Sequence, residues 1–187
     1  FTFGMTACSD FLDEVNHSSQ SADKYYQTKG GYESLIVGCY SNLKNIYNTT
    51  TYQIFTQQGT DVFTQNYPTE VAAMNQYTTT YQSNNGTIYA MWSSYFNALN
   101  NVNAAIDRSK SVILKTDDPD GIEPSALTQL VAEAKALRAW YLFEIVRNWG
   151  QGPLKINESK EPSYTVEYSN GAAFYQEIFT DLEEAIS

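Results

Sequence analysis

Between Asn48 and Gly86 the chain interleaves Tyr52, Tyr67, Tyr77 and Tyr81 with Gln57, Gln58, Gln65, Asn66, Asn75, Gln76 and Gln82. A tyrosine offers a rigid apolar ring with a polar tip and loses little rotamer entropy on binding. The C–H face of a pyranose stacks on such a ring, and its hydroxyls pair with amides or carboxylates. No Lys or Arg occurs from Asn45 to Asp107, where the acids are Asp61, Glu70 and Asp107. The segment therefore suits a neutral glycan and lacks the cations a phosphate or sulfate needs. We take Tyr52, Asp61, Gln65, Tyr67, Tyr77, Tyr81 and Trp92 as the candidate ligand-binding set. The same residue types are common in loops and edge strands, and Gln76–Tyr81 alternates like a short strand. Trp92, with Tyr95 one turn on, also reads as helix core.

Bond-breaking chemistry finds little support. The single histidine, His17, precedes the first apolar helix pattern, so a Ser-His-Asp arrangement or a histidine zinc site is not expected. No GxGxxG, phosphate loop, HExxH or CxxC is present. The run Thr116–Gly121 imitates a calcium loop, but aligned on Gly121 it has Thr116 first and Leu127 twelfth, where carboxylates are required. Asp117, Asp118, Asp120 and Glu123 read instead as a solvated turn and an acidic helix entry. Asp61 has no evident partner for paired-carboxylate hydrolysis. Binding without turnover is the expectation, with no cofactor and no resident metal.

Four amphipathic helices must position these residues. The first spans about 31–47 on the stripe Tyr32, Ile36, Tyr40, Leu43 and Tyr47. The second spans about 88–114 after Asn84-Asn85-Gly86, with Met91, Trp92, Tyr95, Leu99, Val102 and Ile106 on one side. The third, about 126–149, carries Leu130, Ala134, Leu137 and Tyr141 on one stripe and Trp140, Phe143 and Val146 on another. It should therefore pack on two sides and stop at Gly150 before Pro153. Arg138, set among apolar residues, should pair with a carboxylate such as Glu133 or Glu144. The fourth starts near Gly171 on Phe174, Ile178, Leu182 and Ala185, and residues 156–168 form a crossing loop. Asn103 should cap or bridge a neighbouring helix, Trp149 should pack at a helix end, and Cys39 should be a small buried hydrophobe.

Composition sets the outer limits. A chain of 187 residues with 42% hydrophobic content is long enough for a real core. Its net charge of −10 argues against a general nucleic-acid binder or adhesion to an anionic bilayer through the protein surface. No later stretch reaches the ~18 apolar residues of a spanning helix. Phe1–Cys8 reads as the tail of a secretory signal, and Met5-Thr6-Ala7-Cys8 is similar to a lipobox, which would place a lipid on Cys8. Residues 9–26 then form an extended stalk and 27–187 a helical domain. Both ends look cut.

The segment Ala132–Leu154, with Leu137-Arg138-Ala139, an aromatic pair and Trp149-Gly-x-Gly-Pro-Leu154, resembles the signature helix of the SusD/RagB family. The pattern Trp92, Tyr95, Asn103, Ile106 and the opening Ser9-Asp-Phe-Leu-Asp13 resemble the same family. That resemblance implies a mostly α fold of tetratricopeptide-like helix pairs with long irregular loops, here the N-terminal portion of a longer protein. It implies an outer-membrane lipoprotein, surface exposed, that captures oligosaccharide and delivers it to a TonB-dependent SusC-like transporter. Two alternatives stay open: a RagB-like peptide binder for peptide import, and a helical-repeat scaffold that binds another protein.

Overall fold

The computed structural model describes residues 22–63, 70–78, 82, 84–161, 163 and 165–187. Cys8, His17, Gln65, Tyr67 and Tyr81 lie outside these residues. The described chain holds seven α-helices: α1 (Ala22–Tyr25), α2 (Lys29–Tyr47), α3 (Thr50–Gln57), α4 (Glu70–Gln76), α5 (Gly86–Arg108), α6 (Pro124–Trp149) and α7 (Gly171–Ile186). Its β pairing consists of two isolated bridges, Leu114 with Ile122 and Gly152 with Ser169. No described helix is long and apolar enough to cross a membrane. The fold is the mostly α one expected.

Polar residues set the helix starts. Thr28 caps α2 by accepting from the Gly31 amide at 3.1 Å, and Thr49 caps α3 by accepting from Tyr52 N at 3.1 Å. Asn85 caps α5 twice, accepting from Thr87 N and Ile88 N, and Asn170 caps α7 through Ala173 N. Pro124 opens α6, where its missing N–H costs nothing. Gly150 ends α6 at φ 76°. That left-handed geometry is open to glycine, and the Gly150 amide closes the last turn on Val146 O at 2.8 Å.

Helix α6 is the axis of the core. It packs most extensively on α7, then on α5, with α2 lying across α5 and α6 and α3 against α5. The last two long helices, α6 and α7, therefore form a pair. Tyr32, Tyr95 and Tyr141 are fully buried, so part of the tyrosine load is core. Each finds a partner: Tyr32 donates to Ala105 O, Tyr141 to Cys39 O and Tyr95 to Glu144 Oε2. Cys39 is buried as expected, and desolvation pushes its thiol up to about 12.

Several elements differ from expectation. The segment 48–86 is not one loop, because Thr49 and the spacing of Tyr52 and Phe55 build α3, and Glu70–Gln76 forms α4. Helix α5 stops at Arg108 in place of Leu114, since Leu114 leaves to bridge Ile122. Ala22–Tyr25, within the segment read as stalk, makes a helical turn whose Asp23 pairs with Arg108 at 2.9 Å. The buried face of α2 centres on Cys39 and Ile46, which leaves Tyr40 43% exposed at the edge of the α6 contact.

Arg138 is the largest correction among the ion pairs. Its partner is neither Glu133 nor Glu144 but Asp181 on α7, met by Nε at 2.7 Å and Nη2 at 2.6 Å. Nη2 also reaches Glu177 at 3.2 Å, and Nη1 donates to Ile156 O at 2.8 Å. Burial alone would lower the guanidinium's affinity for its proton, but the Asp181 and Glu177 carboxylates outweigh that and raise it. One side chain thus joins α6, α7 and the loop between them. Asn103 acts similarly on that loop, donating to Lys155 O and Asn157 O, and so bridges a loop where a helix was expected.

Candidate functional site

The C-terminal end of α6 meets the first turns of α5 and the middle of α3 around a cleft of about 680 Å³. Phe55, Ile88, Tyr89, Trp92, Asn148, Trp149 and Tyr168 line it. The Asn85 cap sets the start of α5 and so the height of Ile88, Tyr89 and Trp92; the Gly150 turn ends α6 immediately after Trp149. Phe55 stacks on Trp149 at 5.6 Å between centroids with 26° between planes. Trp92 meets Trp149 edge-on at 5.1 Å and lies 4.5 Å from Phe96. Tyr89 and Tyr168 stand at the rim, 68% and 63% exposed.

A buried polar network holds this aromatic floor. The Glu144 carboxylate accepts from Tyr95 OH at 3.1 Å and from Arg147 Nη2 at 2.7 Å. Tyr95 is itself edge-on to Trp149 at 6.0 Å. Burial, then the neighbouring Tyr47 and the Glu144 charge, raise the Tyr95 phenol far above its ordinary range, so it stays a donor. Asn148 donates from Nδ2 to Glu144 O at 2.7 Å, leaving its carbonyl oxygen as an acceptor at the cleft wall. Among the described residues no charged side chain lines the cleft. The chemistry its described residues offer is stacking plus neutral hydrogen bonding.

Of the described residues expected from sequence to bind ligand, Trp92 alone lines this cleft. Tyr52 sits edge-on to Tyr47 at 4.7 Å and packs against the core between α2 and α3. Tyr77, at φ 52°, donates its OH to Gly59 O at 3.0 Å beyond the end of α3, and Asp61 is exposed in the turn that follows. The structure therefore does not bring Tyr52, Asp61 and Tyr77 together with Trp92. Gln65, Tyr67 and Tyr81 are not among the described residues. Phe55, Tyr89, Asn148 and Tyr168 were missed. They come from positions up to 113 residues apart, and no spacing rule joins them. In the 116–121 turn, Asp118 accepts from Asp120 N and Lys115 pairs with Glu123. Among the described residues no group of three or more His, Cys, Asp or Glu side chains is placed to hold a metal.

The family profile described as SusD-like, starch-binding and associating with the outer membrane matches residues 10–187. The chain belongs to the SusD-like family. A curated relative, SusD-like protein P25 of Formosa agariphila, is 26% identical over 159 residues, covering 81% of this chain and 29% of that protein. A SusD superfamily crystal structure from Bacteroides vulgatus superposes with a TM-score of 0.70 at 20% identity, over 86% of this chain and 34% of that one. A laminarin-binding SusD-like protein superposes at 0.65 and 20% identity, again over 86% and 34%. At that identity the superpositions speak for the fold alone. The chain spans about a third of the length of these relatives.

Proposed function

We propose that this SusD-like chain serves a cell-surface glycan-binding lipoprotein, anchored through a lipid on Cys8, that captures oligosaccharide and passes it to a SusC-like TonB-dependent transporter. The observation that carries this reading is the aromatic cleft of Phe55, Trp92 and Trp149 with Tyr89 and Tyr168 at its mouth, whose described lining carries no charge. Fixed ring faces would take the apolar side of a pyranose, and Asn148 would accept from a hydroxyl. No bond is made or broken. The family description and the ligand of the laminarin-binding neighbour agree with a neutral polymer. Of the other candidates, Asp61 and Tyr77 lie beyond the end of α3 and Tyr52 packs against the core, all outside this cleft.

Affinity gel electrophoresis of the protein without its lipid, across laminarin, other neutral polysaccharides and a casein-peptide mixture, tests this. Retardation by a glycan that weakens in Tyr89→Ala and Tyr168→Ala supports the cleft as the site. Retention by peptides alone moves the function to peptide import, and no retention by either favours a protein-binding scaffold.

A further inference from the structure

A second aromatic surface lies on the α2–α6 seam, where Tyr40, Leu43, Tyr47, Glu133, Leu137 and Trp140 frame an open groove of about 510 Å³. Trp140 is 44% exposed, an unusual state for the largest side chain. Its polar atom is not what faces water, because Nε1 donates to Tyr47 OH at 2.7 Å. Tyr40 is similarly engaged, its OH donating to Glu133 Oε2 at 3.1 Å. With both polar tips hydrogen-bonded to neighbouring side chains, the two rings are held in fixed planes along the groove.

Glu133 supplies the polar half. Oε2 accepts from Tyr40 and Oε1 from Gln129 Nε2 at 3.4 Å, so each oxygen keeps a free lone pair. No Lys or Arg lines the groove, and Glu133 makes no ion pair among the described residues. An apolar helix laid here would bury those lone pairs unpaired, at the desolvation cost of a charged group. An anion would meet the carboxylate directly. A neutral ligand with an apolar face and hydroxyl donors at its edge satisfies both halves.

We propose that this groove is a second platform for neutral glycan, the pyranose face on Trp140 and Tyr40 and its hydroxyls donating to Glu133. The proposal rests on the glycan-binding reading but not on the same cleft. Trp140 and Trp149 are nine residues apart on α6, about 14 Å along the axis and roughly half a turn around it. The two surfaces therefore look out from opposite sides of one helix and would hold separate stretches of a polymer.

The test uses the three tryptophan indole N–H resonances of ¹⁵N-labelled protein during titration with laminarin oligosaccharides and with maltoheptaose. Trp140→Phe assigns its own signal. The expected result is that one glycan shifts the Trp140 resonance as well as those of Trp92 and Trp149. In Glu133→Gln the Trp140 shift needs several-fold more glycan, while the Trp92 and Trp149 response is unchanged. Tyr89→Ala with Tyr168→Ala should do the reverse. A glycan that moves Trp92 and Trp149 alone overturns the second platform and leaves the proposed function standing. If neither glycan moves any of the three, both readings are overturned. Glu133→Gln, which alters no buried packing, keeps the result readable if Trp140 variants fold poorly.

Discussion

Arg138 and Trp149 stand eleven residues apart on α6 and meet their surroundings in opposite ways. Arg138 is buried with its guanidinium filled by Asp181, Glu177 and the Ile156 carbonyl, and Asp181 is fully enclosed. Trp149 is half-buried, packed by Phe55, Trp92 and Tyr95 below, with ring surface left open above. A charge taken out of water must be matched on every side or it destabilises the fold. An aromatic ring carries no such demand, so a fold can leave it partly uncovered and present it to a ligand. Saturation thus marks the α6–α7 seam as structural, and incomplete burial leaves the α6 end open for the recognition proposed above.

The contrast breaks most visibly at Asp181. Asp181→Ala strands a buried guanidinium and should cost about 3–5 kcal/mol in denaturant unfolding. Replacing the pair together, Arg138→Met with Asp181→Leu, should recover most of that loss. If the single change costs under about 1 kcal/mol, the seam is wetter than its geometry indicates. At the other end, Tyr89→Ala and Tyr168→Ala should each change stability by less than about 0.5 kcal/mol. Each should weaken glycan binding by about two- to tenfold, the worth of one stacked ring. Loss of stability without loss of affinity would make the cleft packing, not recognition.

A smaller effect is expected at the turn between the two regions. A Cβ on Gly150 would meet nothing within 4 Å, so Gly150→Ala pays only for φ 76°, about 1 kcal/mol in a thermal or urea melt. A markedly larger cost would show that the turn positions Trp149 through more than its backbone. The smallest effect concerns Glu177, whose carboxyl is raised by burial and by the Asp181 charge, with Arg138 opposing. A carboxyl raised on folding stabilises fully below its ordinary value of 4.5, and that contribution fades as pH climbs through the raised value. Glu177→Gln should therefore gain on the parent protein between pH 4 and pH 7 in paired urea midpoints. A gap that stays constant with pH would place Glu177 outside the buried network.

Helix positions were legible because each helix carries its own punctuation. Asn85, Pro124, Gly150 and Asn170 lie within a turn of the ends they set, and the stripes of α5 and α6 repeat every three or four residues. The short helices α3 and α4 escaped notice because their polar Gln and Thr content resembles a loop, and α3 buries no residue completely. The partner of Arg138 escaped for a related reason. Glu133 and Glu144 are close in sequence, yet both point elsewhere, to Tyr40 and to Tyr95 with Arg147. The apolar stripe expected on α7 placed Leu182 inside, whereas the seam buries Asp181 to serve Arg138 and leaves Leu182 42% exposed.

The residue order of this chain by itself determined the α class, the long helices and their caps, the buried Cys39 and the family, since all rest on local spacing or on a contiguous motif. Tertiary structure decided which tyrosines are core and which are surface, which carboxylate answers Arg138, and which aromatics share a cleft. Those outcomes depend on how helices rotate against one another when they pack. A rotation of one residue, about 100°, carries a flanking position into the buried stripe and another out of it, and no spacing within a single helix fixes that angle.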